Sequence, residues 1–245
     1  MALPTGALAL VLHLPANVSE YFEARQPCIL ACHGLRASKD SDKYLLLGEE
    51  CTRAGLALAR FDFRGSGESE GLSEAETTVA SRVEDVLAVV AFLRGQPRLD
   101  GRVAFLGSSM GGFVALHARR ALAEPIPVVT WNAPASLAKL AATIPFEDTG
   151  LGAPFAAEFA TGRYAVAPLG IDYHLTIQSE ADETVAVDHG ITLHSHARDP
   201  RALLIIPNAD HRITNPTHRH HAVAHSLAWF HQHLPIQSPT SPSPA

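Results

Sequence analysis

Seven short stretches of aliphatic and aromatic residues alternate with longer stretches in which apolar residues recur at helical spacing. The short stretches predict β-strands at residues 8–14, 28–32, 56–63, 102–106, 127–131, 174–178 and 202–206. The longer ones predict helices at residues 41–54, 77–94, 110–123, 184–197 and 216–233. This alternation is typical of an α/β fold, in which helices cover both faces of a mainly parallel, doubly wound sheet. Ligands of such sheets bind beyond the carboxyl ends of the strands.

One long connection interrupts this pattern. Residues 133–172 are rich in alanine, glycine and proline and carry scattered aromatic residues. A connection of that length predicts a lid or binding loop, and the alternative is a buttress that never touches a ligand. Residues 237–245 are a proline- and serine-rich tail, for which disorder is expected. We therefore expect a single domain over residues 1–236 that includes the lid segment.

Composition and charge exclude several classes of protein. The hydrophobic fraction of 47% suffices for a large core, and the net charge of −6 provides no basic face for nucleic acid. The amino terminus lacks the positive region of a signal peptide, and no apolar run is long enough for a membrane span. Cys28 and Cys32 share one predicted strand at a separation of about 13 Å, too far for a disulfide. Reduced thiols favour a cytoplasmic protein, and we expect a monomer or a homodimer.

The sequence Gly-Ser-Ser-Met-Gly at residues 107–111 lies between a predicted strand and a predicted helix. It fits the pattern G-x-S-x-G with Ser109 at the centre, where the chain must turn sharply and small neighbours leave room for the turn. Such a turn lifts the Ser109 hydroxyl above the sheet, next to the positive end of the following helix. The alternative is a simple tight turn without chemistry. The bracketing strand and helix favour a nucleophile.

A serine nucleophile needs a base, and the base needs an orienting acid. Two later strands supply both at their carboxyl ends. Residues 179–185 follow one of them and include Asp182, and residues 207–211 follow the next and end at His211. All three groups are therefore expected at one rim of the sheet.

Four stretches of sequence together resemble a known superfamily. They are Ala-Cys-His-Gly-Leu at residues 31–35, Arg-Phe-Asp-Phe-Arg-Gly-Ser-Gly-Glu-Ser at residues 60–69, the turn around Ser109, and the acid and histidine loops. From about Ala7 to His233 the chain resembles the serine hydrolases of the α/β-hydrolase superfamily, in particular the compact esterase and serine-aminopeptidase-like branch with the cinnamoyl and feruloyl esterases. The resemblance implies a triad of Ser109, Asp182 and His211 in that chain order.

The acid has alternatives, because Gln178 and Ser179 stand where the family usually has a His-Gly pair. The other candidates for the acid are Glu180, Glu183 and Asp188.

The resemblance also implies an oxyanion hole made of the backbone N–H groups of Leu35 and Met110. His33 is expected to brace this loop. The glycine-rich loop at residues 64–69 lacks the ending of a phosphate-binding loop and is interpreted as structural. The aromatic residues expected to contact substrate in the lid are Phe146, Phe155 and Phe159.

These residues predict a serine esterase that cleaves small to medium acyl or aryl esters through an acyl-enzyme. An aminopeptidase or amidase, with Glu147 or Asp148 holding the substrate amine, and a thioesterase are alternatives on the same triad. A non-catalytic receptor with this fold is the alternative from another class. No cofactor and no metal are expected. His221 and His225 have the i, i+4 spacing at which two histidines on a helix could bind a metal, but we interpret them as part of a solvated helix face.

Overall fold

The computed structural model describes residues 1–3, 6–15, 25–141 and 149–236. Its centre is a seven-stranded sheet with the order β3-β5-β4-β6-β7-β8-β9. In this order, the six strands β5, β4, β6, β7, β8 and β9 run parallel to one another, and β3 at one edge is antiparallel to β5. The strands of the chain are β1 (Ala2–Leu3), β2 (Gly6–Ala7), β3 (Leu10–His13), β4 (Gln26–Cys32), β5 (Ala57–Phe61), β6 (Leu99–Ser108), β7 (Val128–Trp131), β8 (His174–Ser179) and β9 (Arg201–Ile206). The mainly parallel sheet expected from the alternation is confirmed.

Helices cover both faces of the sheet. They are α1 (Asp42–Arg53), α2 (Val79–Arg94), α3 (Met110–Leu122), α4 (Leu137–Ala141), α5 (Ala153–Ala160), α6 (Val187–His196) and α7 (Pro216–His233), with a short 3-10 turn at Glu74–Glu76. Apolar residues of α2, α3 and α6 join the core on one face, and those of α1 and α7 join the core on the other.

Central strands are apolar on both sides, because successive side chains point to opposite faces. On β4, Cys28 and Leu30 belong to one core, whereas Ile29 and Ala31 belong to the other. This explains why the strand appears in the sequence as a continuous apolar run. All cysteines are buried free thiols.

Element boundaries differ modestly from the predicted ones. Strand β6 begins at Leu99 and not at residue 102, because Leu99 pairs with Gln26 ahead of a bulge. Helix α6 begins at Val187 and not at residue 184, because the preceding residues form the turn that holds a carboxylate, described below. Helix α7 begins as expected: the Asn215 side chain accepts a hydrogen bond from the Thr217 N–H at 2.9 Å, with Pro216 in the first turn.

The long connection contains α4 and α5. Its residues 142–148, and the tail at 237–245, lie outside the described residues. Assignment of residues 1–236 to one domain stays a prediction.

Candidate active site

Ser109 occupies the sharp turn between β6 and α3, with φ of 54° and ψ of −127°. A positive φ is rare for a residue with a side chain, so the surrounding structure must impose it. The Ser109 N–H donates to the Trp131 carbonyl oxygen at 2.8 Å. Only glycine fits at position 107, because a Cβ there would lie 2.5 Å from the Gly111 carbonyl oxygen. The small residues that the motif predicted at the turn are therefore required by close backbone contacts.

Three side chains that are far apart in sequence meet at this turn. His211 Nε2 lies 3.0 Å from Ser109 Oγ, and His211 Nδ1 lies 2.8 Å from Asp182 Oδ2. The Asp182 side chain is fully buried and that of His211 is 14% exposed. Since a carboxylate can only accept, Nδ1 carries the proton and Nε2 is free to accept one from Ser109. The geometry is that of a nucleophile, a base and an orienting acid.

Asp182 is held by the turn that follows β8. Its Oδ1 accepts hydrogen bonds from the backbone N–H groups of Thr184 at 2.9 Å and Val185 at 2.7 Å. These bonds fix the orientation of the carboxylate before any substrate arrives.

The other acids considered for this role have different partners. Glu183 accepts from the backbone N–H of His211 at 3.1 Å, and Glu180 accepts from that of Asn208 at 3.1 Å. Asp188 forms an ion pair with Lys139. These three side chains brace the two loops or the lid and do not contact the imidazole.

Two buried side chains, for which the sequence predicted no supporting role, hold these loops together. Asn132, at the end of β7 with φ of 52°, accepts from the Ser179 N–H at 2.7 Å and donates to the His211 carbonyl at 2.8 Å. Gln178 donates to the Val185 carbonyl at 2.8 Å. A polar residue at a strand's carboxyl end was the available signal for Asn132.

The loop after β4 lies beside the serine. A Cβ on Gly34 would be 3.0 Å from Ser109 Cβ, so glycine permits this close approach. The His33 Nδ1 donates to the Gly34 carbonyl at 2.7 Å, while its Nε2 accepts from the Phe63 N–H at 3.2 Å. Burial lowers the pKa of His33 to about 4, so the ring is neutral. His33 therefore braces the loop and does not reach the reacting groups.

The loop brings Leu35 to the same cavity as Met110, the first residue of α3. Their roles as oxyanion donors stay a prediction.

The glycine-rich loop at residues 64–69 is arranged around the buried Asp62. This carboxylate accepts from the backbone N–H groups of Lys39 at 2.7 Å and Glu68 at 3.0 Å. Arg64 pairs with the buried Asp85. These bonds are consistent with the structural interpretation of the loop.

A cavity of about 630 Å³ opens above Ser109. Its floor is formed by Ser109, Met110 and His211, and the connection after β7 supplies most of its walls. The apolar wall residues are Leu35, Pro134, Leu137, Leu140, Ala141, Leu151, Phe155, Ala156 and Phe159. Phe155 and Phe159 line this cavity, and their contact with substrate stays a prediction; Leu137, Leu140 and Leu151 were not predicted from the sequence. Phe146, Glu147 and Asp148 lie outside the described residues.

Further expectations concern metals, membranes and location. Within the described ranges, no group of three or more histidine, cysteine or acidic side chains is arranged to hold a metal ion. The rings of His221 and His225 pack edge to face at 4.6 Å. Among the helices that the structure describes, none is long and apolar enough to cross a membrane. The cytoplasmic location, the lack of cofactor, nucleic-acid and membrane partners, and the monomeric or dimeric state stay predictions.

A strand-turn-helix with serine at its apex, on a doubly wound sheet of this order, defines the α/β-hydrolase fold and its serine hydrolases. Comparison with known families makes this more specific. Residues 23–148, about half of the chain, match the family described as serine aminopeptidase, S33. The chain belongs to this family of the α/β-hydrolase superfamily, and the resemblance inferred from its motifs is confirmed.

Individual relatives are more distant. The human mitochondrial palmitoyl-protein thioesterase ABHD10 is 35% identical over 116 residues, which cover 47% of this chain and 35% of that protein. The chain thus spans about a third of the length of the curated relatives that it matches first.

Among solved structures, α/β hydrolase domain-containing protein 10 from mouse has a TM-score of 0.76 at 19% identity, covering 94% of this chain and 96% of that one. Est1E from Butyrivibrio proteoclasticus, in a structure with bound ferulic acid, has a TM-score of 0.69 at 17% identity, with 92% and 96% covered. Both similarities concern the fold.

Proposed function

We propose that this protein hydrolyses carboxylic esters of small to medium acyl or aryl groups through an acyl-enzyme on Ser109. The observation that carries the proposal is the contact of Ser109 Oγ with His211 Nε2 at 3.0 Å, on the floor of an apolar cavity. A serine hydroxyl is a weak nucleophile at neutral pH, and a neutral imidazole at this distance is the base it needs.

The reaction follows from the positions of these groups. His211 Nε2 takes the Ser109 proton as Oγ attacks the ester carbonyl, and Asp182 stabilises the imidazolium that forms. The N–H groups of Leu35 and Met110 receive the developing oxyanion. The C–O bond then breaks, and the alcohol leaves with the proton from His211. Water attacks the acyl-enzyme with His211 again as base, which returns Ser109 and releases the acid.

The cavity favours an apolar acyl group. Its volume of about 630 Å³ lies within the usual range for pockets that hold small molecules. Its walls are mostly leucine, alanine and phenylalanine side chains, which bury the apolar surface of a bound acyl group but offer it no hydrogen bonds.

Thioesters are the second candidate substrates. The same constellation cleaves both leaving groups, and the palmitoyl-protein thioesterase at 35% identity over 116 residues supports this alternative. An aminopeptidase is less favoured, because none of the described residues lining the cavity carries a carboxylate to receive a free amine.

The first experiment measures initial rates on p-nitrophenyl esters from acetate to laurate, and on thioesters with the same acyl groups. Ser109→Ala is assayed in parallel. Turnover that disappears in this variant supports the proposal, and the ratio of the two series identifies the preferred leaving atom. Wild-type rates equal to those of Ser109→Ala on every substrate would refute it and favour the receptor alternative.

A second variant tests the acyl cavity itself. Leu140 lines the cavity and is half-buried on α4, so Leu140→Trp is expected to shift the optimum to shorter chains. Ile191→Trp, at an exposed position of α6, is the matched control. An unchanged chain-length profile in Leu140→Trp would place the acyl group elsewhere.

A further inference from the structure

A second, smaller cavity of about 220 Å³ also opens at Ser109 and His211. It shares both residues with the large apolar cavity, so the nucleophile lies where the two spaces meet. Its lining carries more positive charge, because Arg36 lines both cavities whereas Lys43 and Arg212 line only the small one. Three cationic side chains surround it: Arg36, Lys43 and Arg212.

Lys43 is the least exposed of the three. It projects from the first turn of α1, and its Nζ donates to Ser108 Oγ at 2.7 Å. Ser108 immediately precedes the nucleophile. Burial and the nearby Arg212 lower the pKa of Lys43 to about 8, so the amine remains largely protonated at pH 7. Only one of its three N–H donors is used by the Ser108 hydroxyl.

None of these three cations forms an ion pair with an acid in the described part of the chain. The carboxylates nearest to Lys43 have other partners. Asp182 is bound to His211 and to two backbone N–H groups, and Asp210 accepts from Thr214. Arg36 and Arg212 are exposed and Lys43 is half-buried, so all three keep contact with solvent while they line one cavity of a chain whose net charge is −6.

We propose that this small cavity binds an anionic group, a carboxylate or a phosphate, on the alcohol or thiol half of the substrate. The proposal rests on the proposed function in one respect: if the apolar cavity takes the acyl group, the cationic cavity is left for the leaving half. Both cavities reach His211, which must protonate the leaving atom. Guanidinium and ammonium groups recognise carboxylate and phosphate by charge-assisted hydrogen bonds. The preferred substrate therefore joins an apolar acyl group to an acidic alcohol or thiol.

Binding can be tested without turnover. In Ser109→Ala protein, calorimetry compares 3-hydroxybenzoate with its uncharged methyl ester, and phenyl phosphate with phenol. We expect each anion to bind at least about tenfold more tightly than its neutral partner. Adding Lys43→Met is expected to remove most of this difference, whereas adding Arg98→Gln should leave it intact. Arg98 is exposed and precedes the amino-terminal end of β6, whereas the small cavity lies beyond the carboxyl end of that strand. Equal affinities for anion and neutral partner would overturn the proposal, whether or not the protein hydrolyses esters.

Kinetics then tests which half of the ester carries the charge. The ratio of kcat/KM for 3-(hexanoyloxy)benzoate to that of its methyl ester, normalised to the hydroxide-catalysed rates, is expected to fall about tenfold or more in Lys43→Met. High salt should lower the wild-type ratio as well. A monoester of glutaric acid with phenol carries its anion on the acyl side. Preference for that compound alone would overturn the assignment to the leaving half.

Discussion

Replacing Asp182 by asparagine tests the role of this side chain at a single atom. Oδ1 accepts from two backbone N–H groups, at 2.9 and 2.7 Å, so the amide oxygen of the variant must occupy the Oδ1 position. The amide nitrogen then takes the place of Oδ2, 2.8 Å from His211 Nδ1. Nδ1 also lies 2.9 Å from Oδ1, but that oxygen already accepts from two backbone N–H groups, and a hydrogen of the amide nitrogen would face the Nδ1 hydrogen at the shorter distance. The variant therefore favours the imidazole tautomer that carries its proton on Nε2. That nitrogen faces Ser109 Oγ and can then no longer accept its proton.

The expected loss follows from this change of tautomer. In triads with the same arrangement, the corresponding substitution lowers kcat by about ten-thousandfold, equivalent to about 5 kcal/mol of transition-state stabilisation. We expect a loss of about a thousandfold or more on p-nitrophenyl butyrate. The fold should persist, since both backbone hydrogen bonds to the residue are retained. Initial rates and thermal melting curves measure the two effects separately.

Matched variants decide whether the effect belongs to Asp182. Glu183→Gln keeps an acceptor for the His211 backbone N–H, and Asp188→Asn removes only the ion pair to Lys139. Both should retain activity within about threefold, because surface charges contribute little. The reasoning is refuted if Asp182→Asn stays within about tenfold of the wild type, or if Glu183→Gln loses as much.

Further predictions concern the turn, the buried histidines and the thiols. Gly107→Ala should abolish activity and destabilise the fold by about 1–3 kcal/mol or more in urea unfolding, since the new Cβ would meet the Gly111 carbonyl at 2.5 Å. Gly95→Ala, whose Cβ has 3.5 Å of space, is the control, and equal losses in the two variants would contradict the steric argument. Burial lowers the pKa of His174 to about 3, below its unfolded value near 6.5, so its contribution to stability is complete above pH 6.5 and is lost as the pH falls. Urea unfolding between pH 7.5 and 5 should show this decline, with a shallower slope in His174→Asn; an unchanged slope would contradict it. A thiol reagent should leave the native cysteines unmodified and label all three after denaturation, and rapid labelling of the native protein would contradict their burial.

The fold and the turn that carries Ser109 could be predicted from the sequence for local reasons. Apolar runs of strand length, such as residues 28–32, need neighbours on both faces, and helices between them imply parallel strands. The G-x-S-x-G pattern is equally local, because the strained turn and the glycines that permit it lie within five residues. The place of His211 could be predicted in the same way, because this histidine follows the carboxyl end of a predicted strand.

Other features depend on residues that are distant in sequence. Whether Asp182, Glu180, Glu183 or Asp188 contacts the imidazole depends on the path of one turn, which hydrogen bonds from Thr184 and Val185 to Asp182 hold in place. The supporting roles of Asn132 and Gln178 could not be predicted from the sequence, because they depend on contacts among β7, β8 and the loops that carry Asp182 and His211.

Periodicity and short-range steric constraints in the sequence are enough to predict the class of fold, the turn that carries Ser109 and the positions of Asp182 and His211 after it in the chain. Only the folded chain shows that Asp182 contacts His211, that Leu137, Leu140 and Leu151 line the large cavity, and that Lys43, Arg36 and Arg212 line the small one beside Ser109. These contacts could not be predicted, because contact across the sheet and between loops depends on side-chain directions in three dimensions. Spacing along the chain carries no information about them.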